Sequence, residues 1–241
     1  MSKKTIEHQM DGARYLPNLA IDMVIFGFHD NQLKILLLEY ENTNLFALPA
    51  GFIKKEEDVN KAARRSLEQR TGLKNIYLEQ FYVFGDYQRY NPAPLKAILK
   101  GRNLKFKKDH WLLDRFVSIG YYALVDFTQA VPKPDPLSDR CDWYDLNNLP
   151  PLMLDHQEMV QKALETLQLN LDRKLIGFNL LPETFTIGDL QILYETILGE
   201  RQNRSSFQRR ILGLDILERI EKKYTGGAHK APYLYRFKQN Q

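Results

Sequence analysis

GFIKKEEDVNKAARRSLEQRTGL, from Gly51 to Leu73, is the stretch on which the reading of the fold turns. Its middle is flanked by two glycines, Gly51 and Gly72. At about 100° per residue, Ser66, Gln69 and Arg70 share one face, with Val59, Ala62 and Ala63 along the same stripe one to two turns earlier. A stripe of that kind is expected to face the interior or a cavity. The segment therefore reads as a loop, a helix and a second loop.

Working outward, LAIDMVIFGF (19–28) and LKILLLE (33–39), joined by HDNQ, read as two strands in a hairpin-type connection. Downstream, NIYLEQFYVFGDY (75–87) and FVSIGYYALVDF (116–127) are β-branched and aromatic enough to be strands, and WYDL (143–146) is a short one. From Asp155, Met159, Ala163 and Leu167 fall in helical register, and Asp155 with Glu158 forms a capping-box-like start. These elements predict an α+β domain, a mixed sheet flanked by helices. Residues 91–115, NPAPLKAILKGRNLKFKKDHWLLDR, carry seven basic residues against two acidic, with Pro92 and Pro94 at the entrance. We expect an exposed excursion there, with apolar spacing at Leu95, Ile98 and Leu99 and at Trp111, Leu112 and Leu113 suited to short helices that pack down onto something.

The composition shifts at LIGFNLLPETFT (175–186), which sets domains at 1–178 and 179–241. Thr186 and Asp189 make a capping box, Leu190, Leu193, Tyr194, Ile197 and Leu198 recur at the helical period, and Gly199 ends the helix. Asn203 can cap a second helix, RSSFQRRIL, ended by Gly213, and the pair reads as helix-turn-helix. Phe207, Ile211 and Leu214 line its inner face; Ser205, Gln208 and Arg209 point away, flanked by Arg204, Ser206 and Arg210. These are the side-chain types that read guanine and adenine edges and hold phosphates. Tyr233, Tyr235 and Phe237 then form a strand of a β wing tipped by Gly226, Gly227, His229 and Lys230. A helical dimerisation module would share the two helices, but helix, recognition helix and wing in that order is the more specific pattern.

With 241 residues, 44% hydrophobic and 27% charged, the chain has room for two modules with cores of their own. The net charge of +4 is concentrated: residues 179–241 hold ten basic residues against seven acidic, the remainder 24 against 23. A single cysteine, Cys141, excludes an intramolecular disulfide and fits a reducing compartment. The start lacks a signal-type apolar core and no run approaches a membrane span, so we expect a cytoplasmic protein without a membrane partner. The five histidines show no paired metal-ligand spacing, and there is no G-x-S-x-G, P-loop or Cys/His cluster. In FYVFGDYQRY, Phe84, Tyr87 or Tyr90 could stack a sugar or base with Asp86 and Arg89 as polar contacts, although core aromatics in a strand explain the same composition.

The opening stretch resembles the Nudix box, G-x5-E-x7-R-E-U-x-E-E-x-G-U with U aliphatic. Gly51, Glu57, Arg65, Leu67, Gly72 and Leu73 fall on that pattern, which a plain amphipathic surface helix would not reproduce. Its three remaining carboxylates, used by the family to hold divalent metal and activate water, are replaced by Ser66, Gln69 and Arg70. Magnesium takes hard oxygen ligands, and the replacement turns three negative charges into one positive. With GFNLLPETFTIGDLQILYETILG, NRSSFQRRIL and the wing, the chain resembles the Nudix-related transcriptional regulators, in which a Nudix-like domain senses a metabolite and a winged helix binds operator DNA.

The resemblance implies a sensor with no catalytic residues, no metal and no cofactor, and an effector such as ADP-ribose or a sugar, with a link to sugar metabolism. The expected ligand-binding residues are Arg65, Gln69, Arg70, Asp86 and Arg89; the expected DNA-binding residues are Asn203, Arg204, Ser205, Ser206, Gln208, Arg209, Arg210, His229 and Lys230. A homodimer on a palindromic operator is expected. The rival reading is a Nudix hydrolase of ADP-ribose or a nucleoside diphosphate sugar using Glu57, Glu68 and residues outside the box, with the C-terminal module only targeting it. An RNA-binding module would need single-strand stacking platforms, for which there is no clear signal.

Overall fold

The computed structural model describes residues 11–41, 43–104, 107, 109–172, 180–223 and 231–238. Long apolar runs make the strands of a seven-stranded mixed sheet: β1 (Tyr15–His29), β2 (Gln32–Tyr40), β3 (Leu45–Ala47), β4 (Ala50–Lys54), β5 (Leu78–Phe84), β6 (Val117–Asp126) and β7 (Arg140–Asp145). Their order is β3-β2-β1-β6-β5, with β4 on β1 and β7 on β2. The β1–β2 hairpin turns through Asp30 and Asn31, both at positive φ, as a two-residue turn that matches strand twist requires. The central β1 runs parallel to β6, from Leu19 opposite Val117 to Phe28 opposite Asp126.

Because both faces of β1 are covered, its apolar run is continuous rather than alternating. Ile21, Met23 and Ile25 pack with Ala62, Ala63 and Leu67 of helix α1 (Val59–Thr71). Val24, Phe26 and Phe28 turn the other way, toward Met159, Val160, Ala163 and Leu167 of helix α3 (His156–Asn170). Helix α1 ends at Gly72, φ 73°, whose amide donates to the Glu68 carbonyl.

The basic segment 91–115 forms short helices that pack down, as its apolar spacing predicts, and in this it differs from an exposed excursion. Helix α2 (Ala93–Gly101), begun by Pro94 in its first turn, buries Ile98 and Leu99, and Ile98 joins Leu38, Tyr40 and Ala47 in a satellite core. Trp111 lies in an aromatic cluster with Tyr15, Phe52 and Phe116, ring centres 4.7–5.9 Å away. The segment is part of the packing: Ile98, Leu99, Leu112 and Leu113 are buried, and Arg102 is tied to Asp139 at 2.6 Å.

The C-terminal part is a three-stranded sheet, order β8-β10-β9, under two helices: β8 (Phe185–Thr186), α4 (Ile187–Leu198), α5 (Arg204–Gly213), β9 (Leu217–Lys222) and β10 (Tyr233–Phe237). Thr186 and Asp189 form the expected capping box on α4, and Gly199, φ 72°, ends it. Asn203 caps α5 through the Ser206 amide. Strand β9 was not expected: in LERIEK only Leu217 is buried, so the strand carries almost no apolar signal. The expected division at 178/179 and the wing tip with His229 and Lys230 lie outside the described residues. Among the described residues no helix is long and apolar enough to cross a membrane.

Candidate functional site

The loop and helix around Gly51 are held by their own polar residues. Arg65 donates to both oxygens of Glu57, at 2.7 and 2.8 Å, and to the Phe52 carbonyl at 2.8 Å, while Glu57 also accepts from the Lys54 amide. The hydrogen bond from Arg65 holds the Glu57 carboxyl below the usual range. Gly51 is packed closely on α1: a Cβ there would lie 2.1 Å from Ser66 Oγ and 3.0 Å from its Cβ, so the Ser66 side chain would have to move.

The three positions of inverted charge separate. Ser66 is buried against Gly51 and its hydroxyl finds no partner among the described residues. Gln69 is exposed and meets Arg65 at 3.4 Å, so the expected inward placement holds for Ser66 and not for Gln69. Arg70 donates to the Lys133 carbonyl at 3.1 Å, and its backbone carbonyl accepts from the Lys133 amide. Glu68 points out to Lys74. A hydroxyl packed on glycine, an outward amide and a guanidinium do not fit a divalent ion. Among the described residues no group of three His, Cys, Asp or Glu is placed to hold one. Cys141 offers no reactive thiolate, since burial pushes its pKa up to about 12.

Asp86 and Arg89 lie elsewhere, in a cleft of about 760 Å³ between the end of β5 and the start of α3, also lined by Tyr82, Gln88, Asn91 and Glu158. None of Arg65, Gln69 and Arg70 lines it. Arg89, 7% exposed, donates to both oxygens of Asp155 at 2.8 and 3.1 Å and to the Phe116 carbonyl, with Asp22 at 3.9 Å. The Asp155 carboxylate is thereby committed to Arg89 and makes no helix cap, contrary to the capping box expected there. His156, fully enclosed, accepts the Leu48 amide at Nδ1, and burial lowers its pKa so that it is held neutral. Sequence reasoning missed Asp22, Asp155 and His156 as one cluster. The available signal was Asp22 itself, a carboxylate inside the apolar run LAIDMVIF, which burial tolerates only with a partner. Of the stacking candidates, Phe84 is buried, Tyr90 donates to the Leu113 carbonyl, and Tyr87 is 76% exposed.

On α5, Phe207 and Ile211 are buried, and Arg204, Ser205, Ser206, Gln208, Arg209 and Arg210 are exposed. Ser205, Gln208 and Arg209 occupy the outward side. The Asn203 side chain is engaged as the cap. Arg210 lies on the flank and is tied to Asp172 at 2.9 Å. An exposed row of hydroxyl, amide and guanidinium groups on the second helix of a helix-turn-helix can make base-edge and phosphate contacts.

Two family descriptions match the chain: the NUDIX domain over residues 17–163 and the NrtR DNA-binding winged helix domain over residues 177–237. The "ADPR responsive transcriptional repressor NtrR" of Acinetobacter baylyi is 30% identical over 228 residues, covering 92% of this chain and 82% of the relative. The crystal structure of Shewanella oneidensis NrtR superposes with a TM-score of 0.68 at 28% identity, covering 92% of this chain and 94% of that one. The same protein complexed with a 27mer DNA gives 0.66 at 26% identity, covering 91% and 93%. A Nudix sheet, a loop-helix-loop on its outline and a winged helix over one continuous match establish that the chain belongs to the Nudix family, in the branch that carries an NrtR-type DNA-binding winged helix domain.

Proposed function

We propose that this chain is a transcriptional repressor that binds operator DNA through α5 and its wing and responds to ADP-ribose through a Nudix domain that does not hydrolyse it. The observation that carries the reading is the pairing, in one chain, of an exposed recognition face at Ser205, Gln208 and Arg209 with a Nudix helix whose metal-holding positions are Ser66, Gln69 and Arg70. Loss of the carboxylates keeps the fold as a pocket and spares the signal from being consumed. The named effector of the Acinetobacter relative supports ADP-ribose over a plain sugar. Asp86 at the 760 Å³ cleft is the ligand contact we favour, with Arg65 and Arg89 holding the surrounding frame and Arg70, within α1, bound to the Lys133 carbonyl. A homodimer would present two α5 helices to a palindromic site in the cytoplasm, one helical turn or a multiple apart.

The test is to select a duplex from a random pool with the purified protein and to measure its binding by fluorescence anisotropy with and without ADP-ribose. A several-fold change in affinity with ADP-ribose, and no AMP formed in the presence of magnesium, is the expected result. Steady magnesium-dependent release of AMP would return the chain to the hydrolases.

A further inference from the structure

Helix α3 has one end in the cleft and the other against the winged helix. At its start Asp155 is held by Arg89; along its length Met159, Val160, Ala163 and Leu167 are buried on the sheet. At its end Gln168 Nε2 donates to the Ile197 carbonyl at 3.0 Å, and the Leu171 carbonyl accepts from Tyr194 Oη at 2.8 Å, so α4 is gripped twice. Asp172, just beyond the last turn, reaches α5: its Oδ2 accepts from Arg210 Nη1 at 2.9 Å. The Arg210 guanidinium also lies 5.7 Å from the centre of the Tyr194 ring and 5.5 Å from that of Phe207. Burial, with Asp172 adding to it, pushes the Tyr194 phenol up and keeps that hydroxyl a donor.

Arg210 is thus engaged by a carboxylate and two rings, unlike Arg209 one position earlier. A guanidinium already paired with a carboxylate offers a phosphate less net charge than a free one. Its place on the flank of α5, between the buried Phe207 side and the outward Ser205 side, suits a contact with the neighbouring domain. We propose that Arg210 is a positioning residue for DNA recognition: paired with Asp172, it docks the recognition helix on the end of α3 and sets how that helix is presented to the operator. The inference rests on the reading of the chain as an effector-responsive DNA-binding protein, and it names the contact through which the Nudix domain acts on the recognition helix. Over its 15 residues α3 spans about 22 Å and leads from Asp155 at the cleft to the turn that carries Asp172.

The test compares the wild type with Asp172→Ala, Arg210→Ala and the double variant, using the selected duplex over a range of salt, with and without ADP-ribose. Docking predicts that both single variants weaken binding by a similar factor, about three- to thirty-fold, and that the double variant weakens it no further. It also predicts an unchanged slope of log affinity against log salt, and an ADP-ribose effect reduced toward none. An Arg210→Ala slope flatter by about 0.9, with Asp172→Ala binding like wild type, would make Arg210 a phosphate contact and overturn the proposal. An ADP-ribose effect undiminished in Asp172→Ala overturns it equally. Thermal unfolding without DNA gives an independent arm: docking predicts that the double variant melts where the single variants do, and additive shifts refute it. If the wild type selects no duplex, the repressor reading falls, and the unfolding arm alone decides the docking.

Discussion

In the Nudix domain Arg65, Arg70, Arg89 and Arg102 each end on fixed acceptors: Glu57, the Lys133 carbonyl, Asp155 and Asp139. On the winged helix Arg204 and Arg209 are exposed and hold no carboxylate among the described residues. Guanidinium groups of equal charge therefore serve opposite ends. A buried, forked pair fixes geometry, because removing one partner strands the other in a medium that cannot solvate it. An exposed arginine contributes little to the fold and keeps its hydrogen bonds for another molecule.

Removing Arg89 gives the strongest test of that contrast. Arg89→Ala leaves Asp155 and Asp22 without their cation and is expected to cost about 3–5 kcal/mol in urea denaturation. A loss under about 1 kcal/mol would make Arg89 a ligand residue with little share in the frame. Arg209→Ala is the converse: stability should stay within about 0.5 kcal/mol, while specific DNA binding weakens by about 1–3 kcal/mol.

The buried frame also has a pH signature. Burial lowers the folded-state pKa of His156, so on acidification the unfolded chain takes up a proton first. Its contribution is complete above the unfolded value of about 6.5 and declines below it, by at most about 1.4 kcal/mol per pH unit. His156→Gln should flatten that part of the stability profile, read by denaturation at pH 7.5 and pH 5.5; an unchanged slope would assign the acid sensitivity to other groups. The smallest expected effect is at the capping box of α4, where Thr186→Ala should cost about 1 kcal/mol in the same assay and leave the salt dependence of DNA binding alone.

Features set by neighbours in sequence were legible from the residues: the glycine-ended α1, the caps at Thr186 and Asn203, and the inner and outer sides of α5. Features set by distant partners were not. Arg89 and Asp155 are 66 residues apart, and nothing local to Asp155 distinguishes an ion-pair partner from a helix cap. In residues 91–115 the seven cations signalled an exposed excursion and the apolar spacing signalled helices that pack down; Ile98, Leu99 and Trp111 follow the second. Helical periodicity put Gln69 with Ser66 on one face, yet the edge of such a stripe belongs to solvent when Arg65 offers a partner there.

The parallel pairing of β1 with β6 has a kinetic consequence. The strand at the centre of the sheet is made early, but its long partner begins only at Val117, after α1, β5 and the whole 91–115 segment have been synthesised. Until then one edge of a run of nearly uniform apolar residues, Ala20 to Phe28, lacks its strand. Non-local pairing of this kind folds slowly and exposes sticky surface meanwhile. The nascent chain's vulnerable interval therefore closes when β6 is complete, and chaperone dependence should rise with any change that delays that strand.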